Sequence, residues 1–302
     1  MAMREASTRP REPAAREEQR VATVGAMGRL RTPRGRALAM RGLLGLIILI
    51  WAFPVAWVAY SSFKPAELII SRSLSVVFAP TVAHYRAIFE THNFARFAVN
   101  SLVVATVSTV LCVVVGFLAA YGMARFRAGG ASFSLWILVT RMAPPAAVLI
   151  PFYLMFRLLG LIHTLTGLVL VNIALNLSFA IWILRSFLDE IPVELEESAM
   201  VDGASRVDVL RAIVVPLARP GLVTTAIFSF VFAWNEYLFA LVLATSPRAK
   251  TLPVAAGDFV TAYAIEWGPV FASGTLILIP VAILTLFLQR YIMRGLTLGA
   301  FR

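Results

Sequence analysis

The chain has 302 residues, of which 60% are hydrophobic and only 14% are charged, and its formal net charge is +11. With a mean hydropathy of +0.83, this composition excludes an ordinary soluble globular domain. It predicts an all-α polytopic membrane protein, because the apolar runs approach the roughly 20 residues that cross a bilayer as a helix. The lone Cys112 excludes a disulfide framework and a thiolate metal site, and no metal ligands are predicted.

Much of the positive charge lies in residues 1–41, ahead of the first apolar run. This segment carries ten arginines against four glutamates and few apolar residues that could build a core. We predict a basic, disordered cytoplasmic tail over 1–41 and a membrane domain over 42–302. A cleaved signal peptide is disfavoured, because the first apolar run is long and lacks a small-residue cleavage site. Membrane topology accounts for the charge, so no nucleic-acid partner is expected.

Six apolar runs predict six transmembrane helices. Arginines concentrate in the second connection, with Arg125 and Arg127, in the fourth connection, and after the last span. Because positively charged loops stay in the cytoplasm, this pattern predicts that both termini and the even-numbered connections are cytoplasmic. The predicted spans are approximately 42–62, 98–122, 133–156, 164–186, 218–244 and 270–290.

The fourth connection, residues 190–216, carries signals for two short helices. Pro192 suits the first position of a helix, and Gly203 suits the left-handed residue that ends it. Ser205 can then cap a second helix in a capping box with Asp208. A helix lying on anionic lipid would be rich in Lys and Arg, whereas this loop begins with acidic residues. The pattern therefore favours a protein partner over the membrane surface.

The same loop resembles a known motif. The segment Glu197-Ser-Ala-x-x-x-Gly203, followed by nine residues and Ile213-x-Val-Pro216, is similar to the EAA loop of ABC importer permeases. Ser198 and Val215 depart from the usual Ala and Leu, and both are conservative changes. Four further segments resemble the carbohydrate branch of these permeases, the maltose-type, MalG-like family: Pro80-Thr-x-x-x-Tyr85 with Asn100-Ser101, Ala119 to Phe126, Ala233 to Ala240, and Arg294 to Phe301.

This resemblance implies a type I ABC importer permease (MetI-like) fold with six transmembrane helices and a cytoplasmic coupling loop over 190–216. It implies a non-catalytic subunit of the bacterial inner membrane that imports a sugar or polyol. Its implied partners are a second homologous permease, two ATP-binding subunits, an extracytoplasmic solute-binding protein and the lipid bilayer. The chain has no Gly-x-x-x-x-Gly-Lys-Ser/Thr phosphate loop, so ATP and Mg are expected on the partner ATPase subunits and no cofactor on this chain.

The resemblance also assigns candidate residues for coupling to the ATPase. Glu197 and Asp202 are expected to make polar contacts, Ala199 to allow close approach, and Gly203 to form the bend. The C-terminal segment resembles one that reaches the ATPase interface, although a frayed terminus is the alternative. The complete set of candidate coupling residues is Glu197, Ala199, Met200, Asp202, Gly203, Gly295 and Leu296.

Polar residues inside the spans are candidates for a substrate path, because such residues usually face protein or water. Asn172 and Asn176 are four apart and share one helix face, where they can bind a sugar hydroxyl or pack against a neighbouring helix. Trp234, Asn235 and Glu236 combine an aromatic surface with polar groups, although aromatic residues also anchor helices at the membrane interface.

Arg141 lies in the third span, where Pro144, Pro145 and Pro151 predict breaks in the helix. Its depth argues against a direct ion pair with Glu236, because the two residues lie at different heights along their spans. Two other functional classes fit the sequence less well. An ion- or proton-coupled secondary transporter would show internal repeats, which this sequence lacks. An enzyme would need a converging nucleophile and base, and no such set has a recognisable spacing.

Overall fold

A computed structural model describes residues 34–71, 73 and 75–299. For some of these residues it describes the backbone but not the side chain: 34–37, 39, 131, 138, 141, 288 and 290–299. Within these ranges the secondary structure is helical, apart from an isolated antiparallel bridge that pairs Val260 with Ile265. Contacts divide the chain into a first unit that ends at Ala56 and a second that begins at Trp57. The candidate site described below lies wholly in the second unit.

Thirteen helices are distinguished in the described residues. In chain order they are α1 (Arg34–Ser61), α2 (Ala66–Ile69), α3 (Ala83–Glu90), α4 (Phe94–Phe126), α5 (Gly130–Met142), α6 (Pro145–Leu158), α7 (Leu165–Asp189), α8 (Glu194–Val201), α9 (Arg206–Leu217), α10 (Arg219–Trp234), α11 (Leu238–Leu243), α12 (Leu252–Gly257) and α13 (Trp267–Gly299).

Each of the six predicted spans overlaps helical residues. In the described chain, α1, α4, α7 and α13 are long and apolar enough to cross a membrane as single helices, and the bent pair α9 and α10 is a fifth candidate if it forms one span. The third predicted span is two helices, α5 and α6, and the fifth is α10 followed by the short α11. α1 begins at Arg34, ahead of the predicted start at 42, and the rest of the predicted tail, residues 1–33, lies outside the described residues.

The break in the third span follows from its proline pair. Ala143 and Pro144 are extended, because a proline disfavours helical geometry in the residue before it, and Pro145 then starts α6 at a position that needs no N–H donor. Polar contacts attach α5 to α7, from Arg185 to the Ser134 hydroxyl at 2.6 Å and between Thr140 and Ser178 at 2.9 Å. The predicted break at Pro144 and Pro145 is confirmed, whereas Pro151 lies inside α6 and does not interrupt that helix.

α4 and α7 form the most extensive helix pair in the described chain. A Cβ at Gly116 of α4 would lie 3.2 Å from the Cβ of Ala180 on α7, so the two backbones approach closely. Such small-residue contacts are characteristic of membrane helices, where tight packing replaces the hydrophobic drive that water provides. This pair is the rigid centre to which α10 also packs.

Gly221 of α10 packs against Phe187 of α7 in the same way. A Cβ at this position would lie 2.6 Å from the Cγ of Phe187 and 2.9 Å from its Cβ. We expect Gly221→Ala to lower the thermal stability of the purified protein by overpacking, at a cost of about 1–3 kcal/mol. Gly45→Ala is the matched control, because nothing lies within 4 Å of a Cβ built at Gly45. Equal melting temperatures for both variants would contradict the close approach.

Candidate functional site

The loop between α7 and α10 folds as two short helices that meet at Gly203, as the sequence predicts. The backbone φ angle of Gly203 is +93°, a conformation that residues with a side chain rarely adopt. The N–H of Gly203 donates to the Met200 carbonyl at 3.1 Å, and the N–H of Ala204 donates to the Ala199 carbonyl at 3.0 Å. This pair of bonds is a Schellman motif, which satisfies the last carbonyls of α8.

The start of α8 differs from the prediction. The helix begins at Glu194 rather than at Pro192, and Val193 is its N-cap residue. The N–H of Glu196 donates to the Val193 carbonyl at 2.9 Å in the first turn. The three glutamates of the first helical turn remain at its positive end, which favours them electrostatically.

The predicted capping box at the start of α9 is confirmed. The N–H of Asp208 donates to the Ser205 hydroxyl at 3.3 Å, and the N–H of Ser205 donates to the Asp208 carboxylate at 3.1 Å. The Ser205 hydroxyl and backbone together lower the pKa of Asp208. α9 then passes through a π-helical turn, Leu210–Val214, and meets α10 at a bend of 71°. The cap therefore fixes where the loop turns back towards the membrane.

A buried ion pair attaches this loop to the end of α4. The Glu196 carboxylate lies 2.5 Å from the Nε of Arg125, and the two side chains are only 5% and 7% exposed. The hydroxyl of Tyr121 donates to the other carboxylate oxygen at 2.8 Å. A buried carboxylate is tolerated when it is both paired and hydrogen-bonded, and here both of its oxygens have a donor.

Arg125 also holds a second point of the loop, because its Nη2 donates to the Ile191 carbonyl at 2.9 Å. We name the group of Tyr121, Arg125, Ile191 and Glu196 the anchor cluster. Its contacts place the second and fourth connections at the same end of the helices, as the predicted topology requires. An apolar cluster that includes Met123, Leu188, Val209 and Val214 packs beside it.

The opposite face of the loop is exposed. Glu197, Met200 and Asp202 are exposed around the bend, and Val201 is 87% exposed. The half-buried side chain of Ala199 packs against the apolar cluster, and its expected role in close approach to a partner stays a prediction. The loop thus presents two carboxylates beside apolar side chains, a composition typical of a surface covered by a protein partner.

The sequence interpretation missed the role of Glu196 and Arg125. Adjacent glutamates at 196 and 197 look equivalent in sequence, but successive helical residues point in directions about 100° apart, so one faces α4 and the other faces away. In the sequence, Arg125 indicates only that the second connection is basic and therefore cytoplasmic. A buried partner for it could be found only once the loop had been placed against α4.

The two candidate asparagines of α7 are buried and bonded within their own helix. The Asn172 side-chain amide donates to the Leu168 carbonyl at 2.9 Å, and that of Asn176 donates to the Asn172 carbonyl at 2.9 Å. They share one face, as predicted, and this face is packed in the described chain. The buried Oδ1 of Asn172 has no hydrogen-bond partner among the described residues, so helix packing and sugar binding both stay predictions.

The second group of candidate path residues lies where α10 ends. Trp234 is buried and its Nε1 donates to the Ile277 carbonyl of α13 at 3.0 Å. Glu236 caps α11, accepting from the N–H groups of Phe239 at 2.7 Å and Ala240 at 2.9 Å. Asn235 is exposed, and its amide donates to the Val231 carbonyl at 2.8 Å. Of these three side chains, Asn235 is exposed, Glu236 is half-buried and Trp234 is buried.

The structure does not describe the side chains of the three remaining candidates. Arg141 falls within α5, and Gly295 and Leu296 fall within α13, but the structure describes only their backbone. Their roles stay predictions. Among the described residues, no group of three or more His, Cys, Asp or Glu side chains could hold a metal ion.

A second exposed surface lies at the opposite end of the helices, between α12 and α13. Residues 259–266, here named the outer hairpin, form a turn in which Thr261 accepts the N–H of Ala264 at 3.0 Å and the N–H of Glu266 donates to the Phe259 carbonyl at 3.0 Å. Phe259 is buried at its base, while Tyr263 at its tip is 99% exposed. A tyrosine on a braced turn is well suited to contact a protein, because it presents a large amphipathic area with little flexibility.

Comparison with known proteins agrees with this geometry. Residues 112–298 match the family described as binding-protein-dependent transport system inner membrane component. A trehalose transport system permease protein of Mycobacterium tuberculosis is 38% identical over 250 residues, covering 82% of this chain and 91% of that protein. A diacetylchitobiose uptake system permease protein of Streptomyces coelicolor is 36% identical over 252 residues, with 82% and 91% covered.

A crystal structure of a bacterial ABC transporter involved in import of the acidic polysaccharide alginate has a similar fold. The match has a TM-score of 0.73 and 24% sequence identity, and it covers 87% of this chain and 98% of that one. At this identity the likeness concerns the fold alone. It confirms the predicted importer-permease architecture.

Proposed function

The chain belongs to the family of binding-protein-dependent transport system inner membrane components, and we propose that it is the permease subunit through which an ATP-driven importer moves a sugar or polyol. The family is a membrane component of ABC transport systems, and such a subunit is not itself an enzyme. The secondary-transporter alternative is set aside, because import in this family depends on a binding protein and ATP rather than on an ion gradient.

The solute class rests on the relatives. The two proteins named above carry the descriptions of trehalose transport and diacetylchitobiose uptake, and both align with most of this chain. A neutral saccharide or polyol is therefore the proposed cargo. The polar residues predicted to line the path give limited support, because Asn172, Asn176 and Trp234 are buried by packing within the chain and Asn235 is exposed.

The observation that carries the proposal is the two-faced coupling loop. Its inner face is joined to α4 by the anchor cluster, and its outer face exposes Glu197, Met200, Val201 and Asp202. A partner ATPase that moves the exposed face would pull on α4 through a buried ion pair instead of deforming a flexible loop. Because α4 packs closely on α7, the displacement would reach the helices that enclose the solute.

The proposed orientation follows from the same contacts. The arginine-rich second and fourth connections lie at one end of the helices, which we place in the cytoplasm with both termini. The outer hairpin then faces the extracytoplasmic side, where its exposed Tyr263 would contact a loaded solute-binding protein. ATP and Mg would bind the partner subunits, of which we propose two, beside a second homologous permease.

Purification of a tagged chain from native membranes tests the proposal. We expect an ATP-binding subunit and a second permease to copurify, and the ATPase activity of the assembly to rise when a binding protein and its sugar are added. Isolation of the chain alone, with solute uptake that needs no ATP, would contradict the proposed function.

Replacing Glu197 by lysine should weaken the contact with the ATPase while leaving the membrane fold intact. The side chain is exposed and faces away from the anchor cluster, so the change reverses a charge only on the partner-facing surface. We expect sugar import to fall by about tenfold, which corresponds to roughly 1.4 kcal/mol of lost interaction. Uptake into proteoliposomes measures the effect. Glu194→Lys is the matched control, since Glu194 is exposed at the start of the same helix but lies away from the bend.

A further inference from the structure

A cavity of about 340 Å³ lies at the end of the helices opposite the coupling loop. It opens to the surface and is lined by the last turn of α1 beyond Ala56, by α2 with Ser71 and Ser73, and by the start of α13. Aromatic and aliphatic side chains form much of its wall. The residues that line it include Trp57, Ser61, Lys64, Leu68, Trp267 and Phe271.

Within the part of the chain that the structure describes, the ammonium group of Lys64 has no anionic partner. Lys64 is 5% exposed, and no carboxylate or hydrogen-bond acceptor of the described residues lies within bonding distance of its Nζ. The Nζ instead lies 5.9 Å from the centroid of the Trp57 ring and 5.7 Å from that of Phe78. Contacts with rings at this distance replace only part of the hydration that a cation loses on burial, and they leave the N–H donors of Lys64 without an acceptor among the described residues.

A comparison with Lys250 shows how unusual this arrangement is within the chain. Lys250 also lies over an aromatic ring, that of Phe97, at 6.0 Å. Its Nζ donates in addition to the Asp258 carboxylate at 2.7 Å, so the charge is paired. Lys64 is less exposed than Lys250 and has no carboxylate partner among the described residues.

Ser61 adds a second open polar group to the cavity wall. It is 3% exposed, and its hydroxyl has no hydrogen-bond partner among the described residues. The neighbouring Ser62 differs, because its hydroxyl donates to the Ala59 carbonyl at 2.6 Å and contacts the Tyr85 hydroxyl at 2.7 Å. Lys64 and Ser61 therefore line one cavity, which Ser71 and Ser73 also line, and neither side chain has a hydrogen-bond acceptor among the described residues.

We propose that this cavity binds a phosphate group, with Lys64 and Ser61 as its donors. Lysine is a common phosphate ligand, and a hydroxyl supplies a second directed hydrogen bond. Trp57 lies one turn before the end of α1 and Trp267 begins α13, which are the levels at which tryptophans meet lipid headgroups. The apolar walls formed by Leu68 and Phe271 suit the glycerol and acyl portion of a phospholipid. The phosphate is supplied by an anionic lipid headgroup or by a soluble phosphate.

Native mass spectrometry of the assembled importer distinguishes the two sources. The delipidated complex is incubated with phosphatidylglycerol or with phosphatidylcholine, and in parallel its melting temperature is followed in sodium phosphate against sodium chloride of equal ionic strength. Retention of phosphatidylglycerol at least fivefold above phosphatidylcholine identifies a lipid headgroup. Stabilisation by phosphate but not by chloride, without lipid retention, identifies a soluble phosphate.

Matched variants test the assignment to Lys64 and Ser61. Lys64→Met retains the length of the side chain and removes its charge, and we expect it to reduce the bound signal at least fivefold. Lys250→Met removes a paired ammonium and should leave binding unchanged. Ser61→Ala is a milder second variant, which should reduce binding at least twofold and serves if Lys64→Met fails to assemble. The proposal would be overturned if Ser61→Ala, and Lys64→Met where it assembles, bound as much lipid or phosphate as the unmodified complex. It would also be overturned if the unmodified complex bound neither the lipid nor the soluble phosphate.

Discussion

Replacing Glu196 by glutamine is expected to uncouple ATP hydrolysis from import, although Glu196 itself is hidden from any partner. The change leaves the Arg125 guanidinium charged and buried without its carboxylate, and breaking a buried pair in this way costs about 3–5 kcal/mol. The same guanidinium holds the Ile191 carbonyl, so a shift of Arg125 after loss of its carboxylate would loosen both contacts. We therefore expect the whole coupling loop to lose its position against α4. Import into proteoliposomes should fall by more than about tenfold relative to ATP hydrolysed.

Two controls separate this effect from general damage. Glu194→Gln removes an exposed carboxylate from the same helical turn and should import sugar normally. Arg125→Lys keeps the charge but cannot donate to both Glu196 and Ile191 from a fixed fork, so an intermediate ratio of import to hydrolysis is expected. Unchanged coupling in Glu196→Gln would show that the ion pair does not transmit the motion of the ATPase.

Replacing Gly203 by proline is the second change for which we expect a large loss. Proline fixes φ near −65°, whereas Gly203 has a φ of +93°, and proline also lacks the N–H that donates to the Met200 carbonyl. The Schellman motif cannot form, so α8 and α9 would no longer meet at their present angle. We expect the chain to insert in the membrane while the ATP-binding subunits are lost on purification, as measured by their ratio to the permease.

Gly203→Asn supplies the matched control for the bend. Nothing lies within 4 Å of a Cβ built at Gly203, so a side chain at this position meets no steric clash and only the backbone conformation is tested. Asparagine adopts the left-handed region more readily than other non-glycine residues. Gly203→Asn should therefore retain most of the ATPase, and a loss as severe as that of Gly203→Pro would show that the site rejects any side chain.

Much of the architecture could be predicted from local signals. Long apolar runs indicate membrane helices because an unpaired backbone cannot lie in hydrocarbon, and prolines at 144 and 145 indicate where a helix must stop. The bend at Gly203 and the capping box of Ser205 and Asp208 were also predictable. Each depends on residues close in sequence, whose hydrogen bonds lie within a single turn.

The candidate substrate path was less predictable. Trp234 and Glu236 are polar or amphipathic residues in an apolar segment, and the sequence indicates only that they need partners. Their partners are the Ile277 carbonyl on another helix and the N–H groups that begin α11. The Trp234 bond joins residues 43 positions apart, and Glu236 caps a helix that begins at an unexpected break. Neither contact has a local sequence pattern that could be recognised.

Hydropathy, helix caps and a left-handed glycine act over short stretches of chain, so the amino-acid sequence is enough to predict the membrane helices, the position of the coupling loop and its bend. The opposite orientations of Glu196, towards Arg125, and of Glu197, towards solvent, became visible in the folded chain, as did the burial of Lys64 beside an open cavity. Burial and charge pairing depend on which helix faces pack together, and contacts between residues far apart in the chain set that packing.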